Sequence, residues 1–159
     1  MGEVLYNKEN SGHSDSWEVG AEFQDFVSEK LLKDGIVIQN FSSTKYQFAR
    51  GENLQGIEIK VDNRFNGYSG KPATDRLSIE IAEKKSEDSA QFRPSGIFRN
   101  DNSWLYIVGN QKEFFMFSIK FLRSYFERYK PQVYDWRTIR RYFLPYKEAV
   151  KFCLKQFKY

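Results

Sequence analysis

The residues best suited to chemistry lie in two short segments, Gly56-Ile57-Glu58-Ile59-Lys60-Val61-Asp62 and Leu77-Ser78-Ile79-Glu80-Ile81-Ala82-Glu83-Lys84. Each alternates apolar and polar residues, the period of a β-strand, in which side chains two apart share a face. Glu58, Lys60 and Asp62 therefore point one way and Ile57, Ile59 and Val61 the other. On the second segment Glu80, Ala82 and Lys84 oppose Ile79 and Ile81. Asn63 to Arg76, rich in Gly, Asn, Ser and Pro, reads as a long hairpin loop between the two. Antiparallel pairing would bring Glu58 and Glu80 together as oxygen donors to a single ion. Such donors suit Mg²⁺ or Mn²⁺, and Mg²⁺ needs only one or two carboxylates because water and substrate phosphate complete its shell. The competing reading is a solvated sheet face of mixed charge.

A helix carrying acids precedes these strands, and a strand-strand-helix run follows them. In this order the chain resembles the PD-(D/E)XK nuclease superfamily, the restriction-endonuclease-like fold, from about Asp15 to about Lys130. The resemblance implies that Glu58 is the acid of the first hairpin strand and Glu80 that of the second, together holding Mg²⁺ or Mn²⁺. It implies that Glu22, or Gln24 by helical spacing, joins them from the first helix as a third metal ligand, and that Glu22, Glu58, Glu80 and Lys60 form the catalytic set. The family's lysine position is Ala82 here. Lys60, two residues after Glu58 and beside the small Ala82 methyl group, is the expected substitute, with Lys84 as the other choice. A second register takes Glu58-Ile59-Lys60 as the acid-x-lysine itself, with Glu52 or Asp62 as partner and Glu80 an ordinary surface residue.

The implied activity is metal-dependent endonucleolytic hydrolysis of phosphodiester bonds, with DNA favoured by the resemblance alone and a homodimer left open. The alternative is a nucleic-acid-binding protein of the same fold that has lost catalysis at Ala82. A third reading is a protein-interaction module built on the aromatic, basic tail.

Composition narrows the field. The single Cys153 excludes an internal disulfide, and no stretch of about 20 apolar residues or signal region is present, which predicts a cytoplasmic protein with no membrane partner. Cys153 itself reads as a core residue of an apolar helix. The single His13, in a polar stretch expected to be loop, leaves no imidazole-based site, and no glycine-rich phosphate loop occurs. Chemistry must then rest on Asp, Glu, Lys and a metal.

The length of 159 residues fits one domain, of mixed α/β (α+β) class: a central mixed sheet flanked by helices, with a flexible stretch over 1–14 and a basic helical tail over 131–159. Ser14-Asp15-Ser16 offers N-caps for an amphipathic helix over Trp17–Lys33, stopped by Gly35. Ile36–Ile38 and Lys45–Arg50 read as strands. Lys84–Ser95 and the following Gly96–Asn102 read as a surface crossing or substrate-side loop. Trp104–Val108 reads as a strand buried on both faces, Gly109-Asn110 as its turn, Phe114–Phe117 as the next strand, and Ser118 as the cap of a helix over Ile119–Tyr129. Pro145 opens a predicted final helix with Tyr146, Ala149, Val150, Cys153, Leu154 and Phe157 as its apolar stripe. Arg123, Arg128, Lys130, Arg137, Arg140, Arg141, Lys147, Lys151, Lys155 and Lys158 make the last quarter more basic than the net charge of +4 conveys. Such a surface suits a phosphate backbone.

Overall fold

A computed structural model describes residues 11–40, 47, 49–70 and 72–159. The chain is mixed α+β, and the strands among the described residues form two four-stranded sheets rather than one. In the first sheet β1 (Ile57–Val61) pairs parallel with β4 (Leu105–Gly109), and β4, β5 (Glu113–Ser118) and β8 (Lys155–Lys158) follow antiparallel. The second sheet has β2 (Arg76–Glu83) between β3 (Arg93–Pro94) and β7 (Ile139–Pro145), with β6 (Val133–Trp136) beyond β7. All its pairs are antiparallel. A parallel pair needs a long crossover. Here the crossover from β1 to β4 leaves the sheet, supplies β2 and β3 to its neighbour, and returns.

Helix α1 (Ser11–Lys33) covers one face of the first sheet. Phe23, Val27 and Leu31, four apart and therefore on one helical stripe, meet Ile57, Ile59, Leu105, Ile107, Phe114 and Met116. The opposite face, with Tyr106, Val108, Phe115 and Phe117, packs against Leu77, Ile79, Ile81, Tyr142 and Leu144 of the second sheet. α2 (Ile119–Tyr129) and α3 (Tyr146–Phe152) close that core through Ile119, Leu122 and Ala149. β4 is buried along its whole length, as a strand covered on both faces must be, whereas Trp104 is 61% exposed and lies outside it. Ser118 caps α2, its hydroxyl accepting the Phe121 N–H.

Several expectations change. The two acidic strands are not a hairpin: β1 and β2 belong to different sheets, and 63–75 links the sheets. Alternation tells which face a residue takes but not which strand lies alongside. Ile36–Ile38 is not a strand, and Val37 is 55% exposed; only an isolated bridge, Asn40 with Asn53, occurs there. Of Lys45–Arg50, residues Lys45, Tyr46 and Phe48 lie outside the described residues, and Gln47, Ala49 and Arg50 are helical. Helix α1 begins by Ser11, so Ser14-Asp15-Ser16 and His13 lie inside it; 1–10 lie outside the described residues.

The tail over 131–159 is mainly strand. β6 and β7 form a hairpin across Arg137-Thr138, with Arg137 at φ 51°, and the helix opened by Pro145 ends at Phe152. Cys153 is half-buried just past it, and Phe157 fills the first core from β8. Aromatics on both faces of Arg141-Tyr142-Phe143-Leu144 hide its period of two.

Candidate functional site

In β1, Glu58 and Lys60 occupy the face opposite Ile57 and Ile59, level with Tyr106 and Val108 of the parallel neighbour. That face looks toward the second sheet. β2 meets it with a free edge, since β3 covers only Ala82 and Glu83. Unpaired strand N–H groups need acceptors when water is excluded. The first sheet supplies them: Ser78 N–H donates to Asp62 Oδ2 at 2.9 Å and Glu80 N–H to the Tyr106 hydroxyl at 3.2 Å. Docking this edge on that face carries the Glu80 carboxylate to Lys60. The Lys60 Nζ lies 2.9 Å from Glu58 Oε1 and 3.5 Å from Glu80 Oε2. Glu80 is further held by Ser95 Oγ, which donates to its Oε1 at 2.6 Å. Gly96 presses on its backbone at φ 51°, where a Cβ would lie 2.2 Å from the Glu80 carbonyl oxygen. A β-bulge between Glu80 and Ala82 loosens the strand at this point.

A third acid completes the group. Glu52 Oε2 accepts the Ile59 N–H at 3.3 Å and Gln24 Nε2 of α1 at 3.4 Å. Its neighbour Asn53 anchors the turn by exchanging two side-chain hydrogen bonds with the Ile57 backbone. Burial, reinforced by the Glu58 charge and only partly offset by Lys60, raises the Glu52 carboxyl to a pKa of about 7. Burial works against the Lys60 ammonium, but Glu80, Glu58 and Glu52 outweigh it and hold its pKa well above the usual value. Burial, with Glu80 beside it, pushes the Tyr106 phenol well up, so this hydroxyl stays neutral.

Three carboxyl groups thus surround one ammonium. Glu58 is 1% exposed, and apart from the Lys60 ion pair neither of its oxygens has a hydrogen-bond donor among the described residues. A buried carboxylate in this condition favours an added cation. Against this, no group of three or more His, Cys, Asp or Glu side chains among the described residues is gathered closely enough to hold a metal ion. The donor set fits a hard ion through Glu58 and Glu80, provided Lys60 yields its place between them.

The structure brings Glu58, Glu80 and Lys60 together through sheet packing rather than strand pairing. Glu22 is exposed on α1, and the helix residue that reaches the cluster is Gln24, two positions and about 200° further round. Lys84 donates to the Glu87 carbonyl at 2.7 Å instead. Asp62 is a fold residue, its carboxylate taken up by the N–H groups of Arg64, Phe65 and Ser78. Glu52 joins the cluster as the second register expects, but Glu80 is not the ordinary surface residue of that register, since Glu52 and Glu80 both act on Lys60. Ser95 and Tyr106 escaped the sequence reading. Tyr106 sat inside an apolar run, and the only mark on Ser95 was its place in the loop after Pro94. No family model, curated protein or solved structure matches this chain.

Proposed function

We propose that the chain is a metal-dependent nuclease whose cation is held by Glu58 and Glu80. The observation that carries this reading is the convergence of two carboxylates from separate sheets on the Lys60 nitrogen, with a third carboxyl titrating near neutrality beside them. A phosphodiester is anionic and repels a nucleophile, so its hydrolysis needs charge neutralisation, a proton acceptor and a fixed cation. When bound, Mg²⁺ or Mn²⁺ would neutralise the phosphate and acidify a water molecule.

The chain's own groups supply the remainder. Glu52, poised at about 7, can take a proton from water at neutral pH and return it. Lys60 stays charged and stabilises the negative charge that grows on the phosphoryl oxygens. Ser95 and Tyr106 position Glu80 through its side chain and its N–H. Lys60 has 30% of its side chain exposed, so the group opens to solvent at the lysine. A nucleic-acid substrate is supported by the basic composition of the chain, and DNA in particular by the family resemblance alone.

A second reading is favoured by one observation, that Lys60 already pairs with both carboxylates. On that reading the triad is an internal ion network of a non-catalytic nucleic-acid-binding protein. The readings separate when wild type and Glu80→Ala are incubated with supercoiled and single-stranded DNA in Mn²⁺ and in chelator. Cleavage by wild type in Mn²⁺ alone, lost in the variant, supports the nuclease; salt-sensitive binding without cleavage supports the binder.

A further inference from the structure

The outer face of the second sheet carries charges and rings that the cleavage reading does not use. Arg141 stands opposite Glu80 in the β2–β7 register, and Arg76 opens the strand that carries Glu80. The Arg76 guanidinium lies 4.0 Å from the Phe143 ring centre and 5.8 Å from that of Tyr134, and the Arg141 guanidinium 5.3 Å from Phe143. Tyr134 and Phe143 meet edge to face at 5.3 Å. Rings and guanidinium groups therefore form one contiguous cluster on the side of the sheet away from the core, with Arg76 exposed and Tyr134, Arg141 and Phe143 half-buried.

The arginines here are not neutralised by direct ion pairs: among the described residues Arg64, Arg76 and Arg141 form no salt bridge. Asp62 is the acid that attracts Arg141, but its oxygens are engaged by three backbone N–H groups. Arg141 Nη1 reaches Ser78 Oγ at 3.3 Å, while its Nε is buried without a hydrogen-bond partner. Burial lowers the Arg141 pKa, and Arg64 and Arg76 lower it further despite Asp62. An anion relieves the repulsion that Arg64 and Arg76 exert on Arg141.

We infer that this face is a binding platform for single-stranded nucleic acid, with Arg64, Arg76 and Arg141 on its phosphates and Tyr134, Phe143 and the Arg76 plane stacked on its bases. A duplex keeps its bases stacked inside, so surface rings gain contact only from unpaired ones, whereas any strand offers phosphates. Alternating charge and ring along β7, at Arg141 and Phe143, matches a polymer that alternates phosphate and base. The inference extends the proposed nuclease, because a strand lying on Arg141 passes beside Glu80, but binding can be read without cleavage.

The test is fluorescence anisotropy in chelator, with labelled oligothymidylate and a duplex of the same length. The expected result is tighter binding of the oligothymidylate, with Phe143→Leu and Arg76→Gln each weakening it about tenfold. Arg76→Gln should also reduce the salt slope by about 0.7 for the lost phosphate contact. Arg76 is exposed and Phe143 is half-buried on the face away from the core, and circular dichroism checks that the variants fold. Binding the duplex equally well or better, or binding by both variants at wild-type strength, overturns the inference. If the oligothymidylate binds as expected but Mn²⁺ elicits no cleavage, the nuclease reading fails and the platform stands. If Mn²⁺ elicits cleavage while both variants bind normally, the platform fails and the nuclease reading stands.

Discussion

Replacing Glu52 by Gln should make the protein more stable, and increasingly so as pH rises. The Glu52 carboxyl moves from an ordinary 4.5 to about 7 on folding, chiefly because it is buried and then because Glu58 is near. The folded state therefore holds this proton more tightly than the unfolded chain does. The stability associated with the neutral group is complete below about 4.5 and is lost as pH rises through about 7. One pKa unit corresponds to about 1.4 kcal/mol, so burying Glu52 costs about 1 kcal/mol at pH 5, where the carboxyl takes up a proton on folding, and about 3 kcal/mol at pH 8, where it stays charged. Glutamine keeps an oxygen to accept the Ile59 and Gln24 N–H groups but carries no charge. Urea unfolding of wild type and Glu52→Gln at both pH values should show a gain that grows by about 2 kcal/mol between them. An equal gain at both, or a loss at pH 8, would refute the placement of Glu52 in a buried, negatively charged site.

Three other substitutions probe how the cluster is held. Gly96→Ala forces a positive φ on alanine and drives its Cβ into the Glu80 carbonyl, so urea unfolding should show a loss of about 2–4 kcal/mol; wild-type stability would mean that Gly96 does not fix Glu80. Tyr106→Phe leaves the Glu80 N–H without its acceptor and should cost about 1–3 kcal/mol in the same measurement, with no change if water replaces the hydroxyl. Ser118→Ala removes the α2 cap, which should cost about 1 kcal/mol in thermal unfolding and leave Mn²⁺ binding unaltered.

What could be read from the sequence was the face each residue takes. The alternation in Arg76–Glu83 is the alternation of burial in β2, whereas in β1 Glu58 is buried between Ile57 and Ile59 because both faces of that strand are covered, and Ser118 caps the helix it was expected to cap. Strand partners could not be read, because β2 pairs with β7 about 60 residues away, within the tail whose sequence pattern predicts helix. Part of the candidate cluster follows from local spacing: Glu58 and Lys60 are two apart on one strand. Its other members arrive by tertiary packing. Glu80 comes through the β2 edge docked on Tyr106, and Glu52 through a turn tied down by Asn53 and Gln24. Gln24 rather than Glu22 faces the sheet because Phe23, Val27 and Leu31 set the rotation of α1, an outcome the helical period already contained.

Calorimetric titration of Mn²⁺ into wild type, Glu58→Gln and Glu80→Gln bears most directly on whether the carboxylates around Lys60 act as one cation site. The expected result is one Mn²⁺ per wild-type chain, weakened at least about tenfold in each variant. No binding by wild type, or binding by both variants at wild-type strength, would contradict it and leave Lys60 as the permanent partner of Glu58 and Glu80.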